Sequence, residues 1–175
     1  TQVQNCLGAN EALFAYRQVK PSDLALVRAG VEGVLMLVIS VLLFSLGAMF
    51  DRLVWPANPW SVLEAFFIAW ACAMGIGLVF CVSIKLVPET ERIINFIMMP
   101  LMMVSGVLFP LTMVSSQYRE WLMLNPVANA IEAARLGFSP YYHAVPELNL
   151  TYACFFALVV LFTGLALFRK FAARL

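Results

Sequence analysis

Few side chains in this sequence could carry out acid–base or metal chemistry. Its 175 residues include one histidine, His143, and two aspartates, Asp23 and Asp51. A metal site or a catalytic acid–base pair needs several such groups in one place, which so small a supply disfavours. One spacing stands out: Glu132 and Arg135 are three residues apart, so a helix would present them on one face, where they can pair.

The composition disfavours both a water-soluble globule and a nucleic-acid-binding protein. Hydrophobic residues make up 63% of the chain and charged residues 12%, against roughly 45–50% and 25% in soluble proteins. The net charge is +1, which leaves no basic surface for a nucleic-acid backbone. We therefore expect a membrane protein that is not an enzyme and does not bind nucleic acid.

Four segments are long and apolar enough to cross a bilayer. A hydrocarbon core about 30 Å thick needs about 20 mostly apolar residues, and the segments that meet this length are 31–50, 61–84, 93–114 and 150–168. Runs such as VLMLVISVLLFSLGAMF lack the alternation of barrel strands. The sequence predicts an all-α membrane protein with four transmembrane helices in a single domain over 1–175.

Basic residues predict the orientation of these spans. Eight of the eleven Lys and Arg residues lie before the first span, between the second and third, or after the fourth. Since basic residues concentrate on the cytoplasmic side, both ends of this chain are predicted to be cytoplasmic. Aromatic residues then cluster on the outer side, as an interfacial belt would: Trp55, Trp60, Tyr118, Trp121, Tyr141 and Tyr142.

Residues 1–30 are too polar to span and form an amphipathic cytoplasmic segment. Pro21 disfavours helix at Lys20, while Ser22 or Asp23 can cap the helix that leads into the first span. Two interpretations stay open for this segment. It either lies on the lipid as an anchor or docks a cytoplasmic partner.

Residues 115–149 are too apolar for a plain outer loop and too interrupted to span. Asn125 and Pro126 suit the N-cap and first position of a helix, which predicts two short helices, 116–124 and 126–138. A re-entrant hairpin over about 115–138 fits best, with backbone that is buried in protein or lines a cavity. The pair formed by Glu132 and Arg135 is interpreted either as a gate or as a surface ion pair.

Several motifs together resemble the permease subunit of type-2 ABC exporters. They are NEALFAYRQVKPSDLALVRAGVE near the start, MPLMMVSGVLFP from Met99, WLMLNPVANAIEAARLGF from Trp121, and the basic tail FRKFAARL. The resemblance covers nearly the whole chain and is strongest to the capsular-polysaccharide branch, beside the O-antigen and teichoic-acid exporters.

The resemblance implies a six-span permease of which this chain holds the last four spans. The chain opens on Thr1, so its start is either removed or belongs to a longer protein. Asn10 to Pro21 would be a coupling helix seated in a cleft of an ATPase subunit, and 110–138 an outer re-entrant hairpin that shapes the exit. The implied coupling residues are Asn10, Glu11, Phe14, Tyr16, Arg17, Gln18, Lys20 and Pro21.

The passage for substrate would lie between two copies of the chain. Gate or passage roles are expected for Pro100, Pro110, Tyr118, Trp121, Asn125, Pro126, Glu132 and Arg135. Pro100 should kink the third span. Four aromatic residues near the exit would contact either sugar rings or membrane lipid, namely Tyr118, Trp121, Tyr141 and Tyr142.

The implied partners are a second copy, a cytoplasmic ABC ATPase, a lipid-linked polysaccharide, membrane lipid, and periplasmic and outer-membrane export proteins. The chain has no GxxxxGK[ST] motif, so we expect it to bind no cofactor itself and ATP and Mg to act through the partner ATPase. The implied location is the bacterial inner membrane, where the chain would export a capsular-type polysaccharide.

Three alternatives remain. A same-fold exporter of O-antigen, teichoic acid, or a drug or small lipid is compatible with all of these features. An ion channel or proton-coupled carrier would need ionisable groups near the midplane, and residues 38–46, 68–80 and 98–108 contain none. A membrane-embedded enzyme acting on lipid would need a paired acid and base, or a metal cluster, at one depth, and His143, Glu132 and Arg135 do not supply this.

Overall fold

A computed structural model describes residues 21–50, 55–139 and 141–171, with side chains from residue 26 onward. This part of the chain is helical and contains no strand. The helices are α1 Pro21–Met49, α2 Pro59–Leu86, α3 Thr90–Val104, α4 Ser116–Met123, α5 Pro126–Phe138 and α6 Leu150–Phe171, with a 3-10 turn at Leu111–Met113. The predicted all-α class is confirmed.

Three of these helices are long and apolar enough to cross a membrane. They are Leu26–Met49 within α1, Pro59–Leu86 and Leu150–Phe171, each with a mean hydropathy of 2.3. They coincide with the predicted spans 31–50, 61–84 and 150–168. The described part of α1 runs from Pro21 to Met49, so the chain is already helical ten residues before the predicted span.

The predicted span at 93–114 is not a single helix of spanning length. Helix α3 has 15 residues and ends at Val104, so it rises about 22 Å, short of a hydrocarbon core of about 30 Å. It ends there because Gly106 adopts a left-handed backbone with φ 70°, which stops a helix. Hydropathy did not indicate this helix end, because Val107, Leu108 and Phe109 extend the apolar run past that turn. Pro100 lies inside α3, as predicted.

The centre of the fold is the contact between α2 and α6, at two glycines. A Cβ atom on Gly75 would lie 2.6 Å from the backbone nitrogen of Leu161, and one on Gly164 would lie 2.7 Å from the carbonyl oxygen of Gly75. Small residues allow such close approach of membrane helices. Helix α5 packs beside this pair through Ala130, which lies in one apolar cluster with Cys72, Ala153 and Ala157.

Candidate functional site

Helix α5 begins where the sequence predicts. The Asn125 side-chain oxygen accepts a hydrogen bond from the backbone N–H of Val127 at 3.0 Å, and Pro126 occupies the first helical position. Such a cap satisfies one of the backbone donors that a helix start leaves free. The two predicted short helices are thus found as α4 and α5, meeting at Asn125.

The most buried ionisable group in the site is Glu132, whose exposed fraction is 0%. Its Oε1 accepts hydrogen bonds from the backbone N–H of Leu111 at 3.2 Å and from Nη1 of Arg135 at 2.8 Å. Its Oε2 accepts from the hydroxyl of Tyr142 at 2.6 Å. A buried carboxylate is tolerated when it is paired and hydrogen-bonded in this way. The predicted pair with Arg135 is confirmed, and its interpretation as a surface ion pair is wrong.

Arg135 extends the network to the end of α3. Its Nη2 donates to the carbonyl oxygen of Gly106 at 2.6 Å. Two features of position 106 favour glycine. Its φ is 70°, which side chains rarely tolerate, and a Cβ there would lie 3.0 Å from Cγ of Leu111. One residue of α5 therefore binds the turn that ends α3.

The hydroxyl of Tyr142 is kept protonated by its surroundings. Burial raises the pKa of Tyr142, and the hydrogen bond to the Glu132 carboxylate raises it further. At neutral pH the phenol therefore remains a donor to Glu132, which fastens the loop after α5 to the helix.

A second link joins the start of α5 to α3. The Asn125 amide donates through Nδ2 to Oγ of Ser105 at 2.9 Å, and that hydroxyl donates to the carbonyl oxygen of Leu101 at 2.7 Å. Ser105 is buried. Asn125 thus caps its own helix with one side-chain atom and holds α3 with the other.

Asn129 is a site residue that the sequence reasoning missed. It is fully buried, and its Nδ2 donates to the carbonyl oxygens of Met123 at 2.6 Å and Asn125 at 3.1 Å. Its Oδ1 accepts from the backbone N–H of Asn149 at 2.9 Å, one residue before α6. An asparagine inside an apolar helix is a weak helix former, and this was the signal available in the sequence. Asn129 joins α4, α5 and α6.

The predicted passage residues divide into two groups. Asn125, Pro126, Glu132 and Arg135 belong to the network, and Pro110 directly precedes Leu111. Three others lie outside it and are exposed, namely Pro100 on α3 and Tyr118 and Trp121 on α4. The predicted coupling residues Asn10 to Lys20 fall outside the described residues, and Pro21 is the first residue of α1.

Metal binding finds no support in the described ranges 21–50, 55–139 and 141–171. No group of three or more His, Cys, Asp or Glu residues there could hold a metal ion. Glu132 already accepts from three donors.

Changing Asn125 to alanine should lower the free energy of unfolding by about 1 kcal/mol for the lost cap, and by about 1 kcal/mol more for the lost bond to Ser105. Asn125→Ser keeps an oxygen for the cap and should lose the second part only. The midpoint of thermal unfolding in detergent measures both. Asn58→Ala, which removes an exposed cap bond of 3.4 Å on α2, is the control and should have the smallest effect.

Comparison with known proteins gives the family. Residues 11–139 match the family model described as ABC-2 type transporter. Two polysialic acid transport proteins KpsM of Escherichia coli are 33% and 32% identical to the chain over 168 residues, covering 92% of this chain and 62% of each relative. The capsule polysaccharide export inner-membrane protein CtrC of Neisseria meningitidis serogroup A is 27% identical, covering 95% of this chain and 62% of that protein.

These matches agree with the motifs that first indicated the family. The chain spans 62% of the length of these relatives. Its matched region contains most of the amphipathic segment, the turn at Gly106 and all of α5. Two partners of the α5 network, Tyr142 and Asn149, lie beyond it. Because the family model matches most of its length, the chain belongs to the ABC-2 type transporter family.

Proposed function

We propose that this chain is the membrane-spanning part of an ATP-driven exporter that moves a lipid-linked, capsular-type polysaccharide across the bacterial inner membrane. The observation that carries the proposal is the similarity, over more than nine-tenths of the chain, to three proteins named for polysialic acid transport or capsule polysaccharide export. Three helices long and apolar enough to span a membrane support it.

A separate ATPase would supply the energy, binding ATP and Mg itself. The sequence has no phosphate-binding GxxxxGK[ST] motif, and the amphipathic stretch 10–21 leads directly into α1. A force applied to this stretch would therefore act on a long helix. We assign the contact with the ATPase to Phe14, Tyr16 and Arg17 within it.

The segment from α3 to α5 would make the fourth crossing and a re-entrant hairpin. Helix α3 rises about 22 Å, about 8 Å short of a hydrocarbon core of about 30 Å. Residues 105–110, which turn at Gly106, lie between its end and the 3-10 turn at Leu111–Met113. Irregular backbone at membrane depth needs hydrogen-bond partners within the protein. Arg135 and Glu132 supply them, to the carbonyl of Gly106 and the N–H of Leu111.

Two copies of the chain would enclose the passage, with both ends of each copy in the cytoplasm. Tyr118 and Trp121 are exposed on α4, where sugar rings could stack on them at the exit. Glu132 and Arg135 would act by keeping the hairpin against α3, and Pro100 by letting α3 bend. Periplasmic and outer-membrane export proteins would continue the path.

Affinity purification of the full-length protein from its own membranes in mild detergent tests the proposal. We expect an ABC ATPase at one copy per permease, together with a lipid-linked glycan whose composition identifies the substrate. An O-antigen, a teichoic acid or a small lipid in its place would revise the substrate. No ATPase, under conditions in which another ABC complex stays intact, would contradict the proposal in favour of a channel or carrier.

Tyr16→Ala and Arg17→Glu in the full-length protein should each weaken ATPase binding about thirtyfold, as loss of an interface hot spot of about 2 kcal/mol does. Export should fall with it, because the driving contact is lost. Titration of the ATPase against the purified permease measures the first effect and glycan export the second. Arg169→Glu reverses an exposed charge at the end of α6 and serves as control. Full binding and export in both test variants would remove the coupling role from this segment.

A further inference from the structure

Helix α1 is held to α2 by a directed hydrogen bond. The indole Nε1 of Trp70, on α2, donates to the backbone carbonyl oxygen of Ala29, on α1, at 3.0 Å. Ala29 is buried in a cluster with Met74 and Phe168. The N–H of a partly buried tryptophan usually finds a hydrogen-bond acceptor, and here the acceptor lies on another helix.

Gly33, one turn further along α1, fits closely against the same indole. A Cβ at this position would lie 2.6 Å from Nε1 of Trp70 and 3.1 Å from its Cδ1. At Gly30, on another face of the helix, a Cβ would have nothing within 4 Å. One turn of α1, from Ala29 to Gly33, therefore rests on Trp70.

Towards its C-terminal end, α1 is separated from the other helices by an apolar cleft. The cleft has a volume of about 500 Å³ and lies between α1, α2 and α5, with Val41, Phe66 and Ile131 among its lining residues. The hydroxyls of Ser40 and Ser45 in its wall donate to carbonyls of α1 itself. Polar bonds from these two side chains therefore do not cross the cleft.

Two aromatic rings in the wall of the cleft are in contact with each other. The ring centroids of Phe44, on α1, and Phe138, on α5, lie 5.0 Å apart with the planes tilted by 47°. In lipid, separating two phenyl rings exchanges contacts with protein for contacts with acyl chains. Separating Trp70 from Ala29 would instead leave a donor without an acceptor. The contact at Phe44 is therefore the easier of the two to open.

We propose that Trp70 is a positioning residue that acts as the pivot of α1, and that the contact between Phe44 and Phe138 opens when α1 tilts about it. The inference rests on the proposed function, because the tilt would be driven from the stretch 10–21. Ala29 is about 12 Å from the start of α1, and Phe44 is about 22 Å beyond Ala29. A displacement at the start of the helix is roughly doubled at Phe44.

Two substitutions test the pivot in the full-length complex. Trp70→Phe removes the N–H donor and keeps an aromatic ring, whereas Gly33→Ala forces α1 away from the indole. Each should lower the number of glycans exported per ATP hydrolysed by about fivefold or more, while the amount of complex and its ATP hydrolysis persist. If the contact between Trp70 and α1 only stabilised the fold, the substitutions would lower the export yield per ATP, the amount of complex and its ATP hydrolysis in parallel.

Matched controls come from the same helices. Gly30→Ala lies three residues from Gly33 and meets nothing, and Trp60→Phe alters an exposed tryptophan at the start of α2. Both should keep the export yield per ATP within about twofold, as expected of surface changes away from such contacts. An equal loss in the controls would overturn the pivot.

A removable crosslink tests the moving contact without touching Trp70. Phe44→Cys and Phe138→Cys are combined in a protein whose native cysteines are replaced, and a cleavable thiol crosslinker joins the pair. We expect the crosslink to stop export with the ATPase still bound, and cleavage to restore it. Each single-cysteine variant should export normally after the same treatment.

The outcomes of these experiments distinguish the proposed pivot from the proposed export function on which it rests. Normal export with the crosslink in place, or normal yield per ATP in Trp70→Phe and Gly33→Ala, would overturn the pivot and leave the proposed function standing. If Trp70→Phe and Gly33→Ala do not accumulate in the membrane, the crosslink between Phe44→Cys and Phe138→Cys alone tests the pivot. An unaltered protein that binds no ATPase would overturn the proposed function and the driven tilt with it.

Discussion

Replacing Arg135 with alanine should lower the free energy of unfolding by about 3 kcal/mol, the lower end of the range for breaking a buried ion pair. The cost arises because Glu132 is fully buried and would lose one of its three hydrogen-bond donors. The carbonyl of Gly106 would lose its partner at the same time. The lower end applies because the Arg135 side chain is 24% exposed, so water can replace part of what is lost.

A graded set of variants measures this effect through thermal unfolding in detergent. Glu132→Gln should cost about 1 kcal/mol, since the amide oxygen still accepts hydrogen bonds while the charge is gone. Arg119→Ala breaks a looser pair, 4.0 Å from Glu147, and is the matched control. Equal losses in Arg119→Ala and Arg135→Ala would contradict a special role for the buried pair.

Export separates the holding role of this pair from a gating role. Glu132→Gln keeps the shape of the side chain and removes its charge. If the pair only holds α5 against α3, export by Glu132→Gln should follow the amount of folded protein. A loss of export in fully folded Glu132→Gln would instead show that the charge acts on the passage.

Local signals in the sequence located α5 and its ion pair correctly. Asn125 and Pro126 are neighbours in the chain, and Glu132 and Arg135 are one helical turn apart, so short-range rules sufficed. The close approach at Gly75 also follows a local rule, because a small residue in an apolar span allows close packing whichever helix approaches.

Contacts distant in the chain could not be predicted from a single sequence. Tyr142 is 10 residues from Glu132 and Leu111 is 21, and no periodicity joins such positions. The bond from Trp70 to Ala29 bridges 41 residues. The end of α3 could not be predicted for another reason. Hydropathy counts apolar residues and carries no information about the left-handed backbone conformation at Gly106.

Gly75→Ala should be as damaging as the loss of Arg135, although it adds a single methyl group. The new Cβ would lie 2.6–2.8 Å from three backbone atoms of Val160 and Leu161. A side chain could rotate away from such a contact, whereas backbone held in α6 can move only with the helix. We expect a loss of about 3 kcal/mol, the upper end of the usual cost of overpacking, read as the midpoint of unfolding.

A second substitution, at Gly164, tests whether the effect of Gly75→Ala arises at the contact between α2 and α6. Gly164→Ala would place its Cβ 2.7 Å from the carbonyl oxygen of Gly75, so it should cost a similar amount, while Gly30→Ala should cost little. Once the first methyl has pushed the helices apart, the second finds room. The double variant should therefore lose clearly less than the sum of the two single losses. Full additivity would mean that the two glycines do not share one contact.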